Sequence, residues 1–265
     1  MATGSPPDWN FFLQTLRDLD YESLSNPLSS VLPPGGGATE FRAAALAAGF
    51  PDSTAVRSLN RQCSSGLQAC VDIANAISAG MIEVGVGAGM ESMSLQYGRP
   101  GAVTEFSENM AKDRGISRAK QDAFAAASYH KAAHAHQAGW FDAESAPLTV
   151  KYEDSKTDTW SEITVSKDDG IRKGVTAESL GKIKPAFAKD GSIHGGNASV
   201  LLMKRSTAER LGQTILSKYV TASVVGVAPL LMGVGPWAAI PIALEKAGIS
   251  KDGVDVYEIN EAFAS

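Results

Sequence analysis

The sequence predicts an α/β protein in which apolar strands alternate with helices. Two stretches and the length predict it. Val56 to Met93 reads as a short apolar strand, a polar turn carrying Cys63, a helix of about four turns and a glycine-bounded apolar strand. A second strand, helix, strand run extends from Tyr219 to Ile259. With 265 residues the chain can bury a substantial core, as one large domain or two.

Composition narrows the class. Charged residues make up 20% and the net charge is −5, with no long single-sign run, so neither nucleic acid nor an anionic membrane surface is indicated as a partner. Two cysteines in unlike surroundings argue against a disulfide framework and for a reducing compartment. No apolar run is long enough for a membrane span, and the N-terminus does not read as a secretory signal, so the expectation is a soluble intracellular protein.

Taken in order, residues 1–34 read as an extension unlike the rest of the chain, with Gly4-Ser5-Pro6-Pro7 at one end and Pro33-Pro34-Gly35-Gly36-Gly37 at the other. Thr39 to Gly49 reads as a helix with Thr39 as N-cap and Gly49 at its end. In the helix after Cys63, the inward stripe is Leu67, Cys70, Val71, Ala74 and Ile77. Glu83 to Gly89 is a strand, and its Gly85-x-Gly87-x-Gly89 is a packing feature; the spacing lacks the full dinucleotide fingerprint. Thr104 to Gly139 is helical. Its His130 and His134 share a face, but Lys131 stands where a zinc protease has its general base and no third ligand is evident, so no metal is expected. Pro147 to Ser166 alternates as two strands around a turn near Asp154 to Thr157. Asp168 to Ser199 is a long, glycine-rich segment of the kind that carries function. Ser206 to Gly212 is a helix, Tyr219 to Val227 a strand, Pro236 opens a helix that Gly248 ends, and Val254 to Ile259 is the last strand.

Cys63 and Cys70 differ in company. Cys63 follows Arg61-Gln62 and precedes Ser64-Ser65-Gly66, so it lies at or just before a helix N-terminus, where unpaired N–H groups and the helix dipole favour a thiolate. Cys70 sits among apolar residues and reads as packing.

NRQCSSGLQA, followed by GAGMESMS, resembles the nucleophile region of the thiolase family, particularly its peroxisomal 3-ketoacyl-CoA branch, and VDVYEINEAFAS resembles a second thiolase signature. The resemblance runs from about Val31 to the last residue and implies a layered αβαβα fold with an inserted loop domain, its second half incomplete and the family pattern truncated at both ends. On that pattern, 35–103 and 200–213 form the N-terminal half, 104–199 the CoA-binding loop domain, and 214–265 the start of the C-terminal half. After Ser199, roughly two helical turns' worth of the family pattern is absent.

The resemblance also implies chemistry. It makes the chain an acetyl-CoA C-acyltransferase of fatty-acid β-oxidation, with coenzyme A as substrate and no permanent cofactor. Cys63 is then the nucleophile, and Asn260 positions a water in the oxyanion hole for the enolate. Arg172 faces the nucleotide end of CoA, Ser179, Ile183 and Phe187 flank adenine and pantetheine, Ser199 lies near the pantetheine, and Phe263 belongs to the binding surface. The family's activating histidine, in Gly-His-Pro, and its second cysteine, in Cys-x-Gly-x-Gly, have no match in residues 1–265. A catalytically silent chain that binds acyl-CoA or pairs with a full-length subunit is therefore the alternative. A ketoacyl synthase fits Cys63 but explains Glu258 to Phe263 less well. Expected partners are acyl-CoA and a second thiolase chain, as homodimer or with a full-length subunit. The expected compartment is the peroxisome, by resemblance alone, with the cytoplasm as alternative.

Overall fold

An alanine-rich stretch gives the first helix, α1 (Ala38–Ala47), which buries Ala44 and Ala45. The computed structural model describes residues 37–89, 110–154, 157–167, 170–182, 198–261 and 264. Gly37, at φ 75°, takes the N-cap place expected of Thr39, which lies inside the first turn. The reason is conformational: glycine enters the left-handed region without a Cβ penalty, so the helix starts one residue before the threonine. Gly49, at φ 89°, ends the helix as expected, and Phe50 N–H closes back on Ala45 O at 3.0 Å.

Helix α2 (Ser65–Ser78) packs against β1 (Val84–Gly89), which pairs antiparallel with β4 (Ala198–Met203). The glycines of β1 permit this contact. A Cβ on Gly87 would stand 2.8 Å from both the backbone N and Sγ of Cys70, and one on Gly85 would stand 2.7 Å from Cγ2 of Ile73. Val71 and Ala74 are buried beside them. Leu67 departs from the expected stripe, being 70% exposed. It lies in the first turn of α2, past the stretch that Gly85 and Gly87 touch.

A hairpin pairs β2 (Leu148–Asp154) with β3 (Thr159–Val165), as the alternating pattern predicts, with a hydroxyl pair between Thr149 and Thr164 at 3.0 Å. The helical stretch expected from Thr104 to Gly139 is divided. A short helical run at 110–114 ends at Gly115, φ 63°, and α3 (Arg118–Gln137) begins anew under Ser117, whose hydroxyl accepts from Lys120 N–H at 3.3 Å. Against α3 lies the short α4 (Ala177–Gly181), held by a capping box between Thr176 and Ser179.

After β4 comes α5 (Arg205–Arg210), tied back to the start of β1 because the Glu83 carboxylate accepts from Thr207 Oγ1 at 3.4 Å and Arg210 Nη2 at 3.3 Å. The last helix, α6 (Gly235–Ala247), starts at Gly235, one residue before Pro236, and ends at Gly248 with φ 70°.

Three expected strands are absent as ladders: the stretch opening at Val56, Tyr219 to Val227, and Val254 to Ile259. Alternation gives a segment a preference for extended backbone, whereas a strand needs a neighbour that accepts and donates along its length. None of these three has such a neighbour among the described residues. The βαβ unit around Cys63 is thus reduced to α2 and its following strand, and the partner of β1 comes from the far side of the sequence. The segment 219–227 is instead fixed to α6 by Ser223 Oγ, which donates to Ala239 O at 2.7 Å, and by Lys246 Nζ, which donates to Ala222 O at 3.2 Å.

Candidate active site

The turn that carries Cys63 is built from its own polar side chains. Asn60 Oδ1 accepts from Gln62 N–H at 2.8 Å, and Gln62 sits at φ 51°, unusual for a residue with a side chain. Arg61 O accepts from Ser64 N–H at 3.1 Å and Ser64 Oγ at 2.9 Å. Ser65 Oγ accepts from Arg61 N–H at 2.8 Å and donates to Gln62 O at 2.6 Å. Cys63 rides on this knuckle, exposed, directly before Ser64, the N-cap of α2. Both serine hydroxyls point back into the turn. The amides of Gly66 and Leu67 therefore have no acceptor among the described residues and remain as donors in the first turn after Cys63. An exposed sulfur at the start of a helix is within reach of an electrophilic carbon brought from solvent.

Cys70 is the opposite case. It is half-buried, its Sγ lies 4.0 Å from Gly87 O, and burial pushes its thiol above the ordinary range. It packs, as expected.

A chain of polar groups borders the Cys63 turn and was not singled out in the sequence. Arg57 Nη2 donates to Asp72 Oδ2 at 2.7 Å, Gln68 Nε2 donates to Asp72 Oδ1 at 2.6 Å, and Arg61 Nη1 donates to Gln68 Oε1 at 2.7 Å. The signal for part of it was present: Gln68 and Asp72 are four apart on one helix face.

Two of the stretches that bear expected site residues, 172–179 and the one around Asn260, are attached to α3. Asn260 is exposed, and its neighbour Glu261 is bound by two groups one turn apart on that helix, Ser128 Oγ and Lys131 Nζ, the latter at 3.0 Å. The Ser128 hydroxyl is the largest cause holding the Glu261 carboxyl below its usual range, with Lys131 adding to it. The stretch bearing Arg172 and Ser179 is pinned to the same helix: His130 Nε2 lies 2.7 Å from Val175 O, and Arg118 Nη2 donates to Leu180 O at 2.7 Å. Arg172 is exposed. Ser179 Oγ is engaged with Thr176 in the cap, accepting from its N–H at 2.9 Å and donating to its carbonyl at 2.8 Å. Ser199 lies within β4, paired with Ala88. Ile183, Phe187 and Phe263 fall outside the described residues. Helix α3 thus brings Asn260 and the Arg172 to Ser179 stretch onto one support. Cys63 stands on the turn before α2, and no hydrogen bond or ion pair among the described residues joins it to them.

His130 and His134 have separate employment. His130 holds Val175, while the ring of His134 meets Trp140 edge-on, centroids 5.4 Å apart. Among the described residues, no group of three or more metal-ligating side chains occurs.

The chain is similar in sequence and fold to known proteins. The thiolase N-terminal domain matches residues 19–106 and 101–202, and the thiolase C-terminal domain matches 213–265. The chain is 53% identical over 264 residues to the peroxisomal 3-ketoacyl-CoA thiolase of Yarrowia lipolytica, which covers 89% of this chain and 63% of that protein. The human peroxisomal 3-ketoacyl-CoA thiolase is 46% identical over 264 residues, covering 90% and 62%. The dimeric peroxisomal thiolase of Saccharomyces cerevisiae superposes with a TM-score of 0.78 at 42% identity, covering 89% of this chain and 65% of that one. Another structure of that yeast enzyme, described as five-layered α-β-α-β-α with two core domains of identical topology, gives a TM-score of 0.71 at 37% identity, covering 97% and 71%. The chain therefore spans a little under two thirds of the curated relatives it matches, with a thiolase-like layered α/β fold. With two domain matches that together take in most of its residues, this chain belongs to the thiolase family.

Proposed function

We propose that this chain carries the nucleophilic half of a 3-ketoacyl-CoA thiolase, an acetyl-CoA C-acyltransferase of fatty-acid β-oxidation. The observation that supports it most directly is the exposed Cys63 on a self-braced turn before the open amides of α2. In the reaction, the Cys63 thiolate attacks the 3-keto carbon of the acyl-CoA. The bond between C2 and C3 then breaks, its electron pair leaves as the acetyl-CoA enolate, and a proton converts that to acetyl-CoA. The acyl group stays on Cys63 as a thioester until the CoA thiol displaces it. Capture on sulfur divides one difficult cleavage into two easier steps. Asn260 positions a water against the developing enolate oxygen, a role worth about 3 kcal/mol of barrier.

On this reading residues 104–199 are the CoA-holding insert between 35–103 and 200–213, and 214–265 begin the second half. Arg172 faces the phosphate-bearing nucleotide end of CoA, Ser179, Ile183 and Phe187 flank its adenine and pantetheine, Ser199 lies near the pantetheine, and Phe263 belongs to the binding surface. Support comes from the chemistry of these side chains and from the common attachment of the 172–179 stretch and Glu261, the neighbour of Asn260, to α3. Coenzyme A is substrate, with no cofactor held between turnovers. The Yarrowia and human relatives are peroxisomal and the Saccharomyces enzyme is dimeric, so a peroxisomal homodimer is the proposed setting.

A second reading is a silent thiolase-like chain that binds acyl-CoA or joins a full-length subunit. One assay separates the two: the purified chain is mixed with acetoacetyl-CoA and CoA and loss of the enolate absorbance is followed, with Cys63→Ala as control. Cys63-dependent turnover supports the enzyme; acylation of Cys63 without turnover supports the silent chain; no acylation at all removes the enzyme reading.

A further inference from the structure

Asp72 takes no part in the thiolytic steps, yet both of its oxygens are committed, Oδ2 to Arg57 and Oδ1 to Gln68. An ionised carboxylate only accepts, so Gln68 must turn its NH2 group to Asp72 and its oxygen outward. That oxygen receives Arg61 Nη1 at 2.7 Å. Reversing the carboxamide would set an NH2 against a guanidinium. The orientation of Gln68, and through it the place of the Arg61 side chain, is therefore dictated by Asp72. Arg61 is held at the other end too, its N–H by Ser65 Oγ and its carbonyl by Ser64. The next residue, Gln62, is at φ 51°. Backbone of that kind persists only where its surroundings over-determine it. Here the side-chain anchor on one flank and the serine bonds on the other are what fix it.

We propose that Asp72 is a positioning residue for the nucleophile, acting through Gln68 and Arg61 to hold the Gln62–Cys63 turn in register with the open amides of α2. The inference rests on the reading of Cys63 as nucleophile. Of the two ion-pair partners Asp72 is the more covered, at 26% side-chain exposure against 67% for Arg57. The arm that reaches into the helix is thus the one that holds the turn, while exposed Arg57 contributes little.

The test is the rate at which iodoacetamide alkylates Cys63, followed by mass spectrometry in the 265-residue chain with Cys70 as internal reference. Asp72→Ala and Arg61→Ala should each slow Cys63 about fivefold, the scale of losing alignment with a helix terminus. The double variant should be no slower than the slower single one, because both cut the same path. Asp72→Asn, which keeps an oxygen for Gln68, should retain most of the rate. The proposal is overturned if Asp72→Ala leaves Cys63 at full rate, if the two losses multiply, if Asp72→Asn does no better than Asp72→Ala, or if Cys70 becomes as reactive as Cys63, the sign that α2 has loosened as a whole. Cys63 reacting no faster than Cys70 in the unsubstituted chain would remove the nucleophile reading and this one together. A fast Cys63 indifferent to Asp72→Ala removes this one alone.

Discussion

Glu261 shows how a single ionisation can govern where Asn260 stands. Its carboxyl is held below the ordinary range chiefly by the Ser128 hydroxyl and then by Lys131, so the ionised form is the one that binds α3. A folded pKa lower than the unfolded one means that the attachment is fully present above the unfolded value and is lost as pH falls through the depressed folded value. Lys131 is 70% exposed, so the pair holds a local segment without adding much to global stability. Hydrogen exchange of residues 254–261, corrected for intrinsic rates, should be slow at neutral pH and quicken on acidification through the range below about 4.3. Glu261→Gln should exchange fast at every pH, and a variant that keeps the slow exchange would show that Glu261 is not the anchor. At this scale the sequence was legible where a residue stands out from its neighbours. Cys63 is set among polar residues and Cys70 among apolar ones, and each has the exposure its company implied. The Arg57–Asp72 pair and the bonds of Glu261 were not legible, because the partners Arg57, Ser128 and Lys131 lie 15, 133 and 130 residues away.

Among the elements, β1 sets the sharpest packing requirement. A methyl on Gly87 meets backbone as well as side chain, with Cys70 N at 2.8 Å and Cys70 Cα at 2.9 Å, whereas one on Gly85 meets only the side chains of Ile73 and Ile82. Side chains can shift to another rotamer; the backbone of a helix cannot move without its turn. Gly87→Ala should therefore lower stability by about 1–3 kcal/mol and by more than Gly85→Ala, measured as denaturant midpoints. Adding Cys70→Ala should not restore Gly87→Ala, since the backbone clash stays. Equal midpoints for the two glycine variants would mean that α2 is not seated as tightly as the distances require. Reading these glycines as packing rather than as a nucleotide loop was possible from spacing alone. The strands at Tyr219 to Val227 and Val254 to Ile259 were not decidable that way, because alternation speaks of backbone preference and says nothing of a neighbour. Helix ends were legible where glycine ends them, at Gly49 and Gly248, and not at Thr39, where a glycine two residues earlier was the better start.

The molecule as a whole leaves much apolar surface in reach of water. With Gly85 and Gly87 turned to α2, strand alternation sets Val84, Val86, Leu201 and Met203 on the other face of the β1–β4 ladder, where Val84 is 43% and Leu201 54% exposed. Leu216, Val220, Val224, Trp237, Val256 and Ile259 are exposed as well. No local pattern foretold which faces would be open; the layered architecture itself was legible only through the resemblance of NRQCSSGLQA and VDVYEINEAFAS, since layers are made of contacts between distant segments. Surface of this kind seeks cover. The chain should accordingly associate in a concentration-dependent way in sedimentation velocity and bind an apolar dye such as ANS. The physical origin dictates the response to salt. Sulfate, which strengthens apolar burial, should drive association further, and chloride at the same ionic strength should do less, because a net charge of −5 spread along the chain leaves little like-charge repulsion to screen. Dye binding should fall as the association number rises, since the same faces are being covered. A chain that sediments as a monomer at every concentration, with no dye signal and no response to sulfate, would mean that these faces are covered within the single molecule.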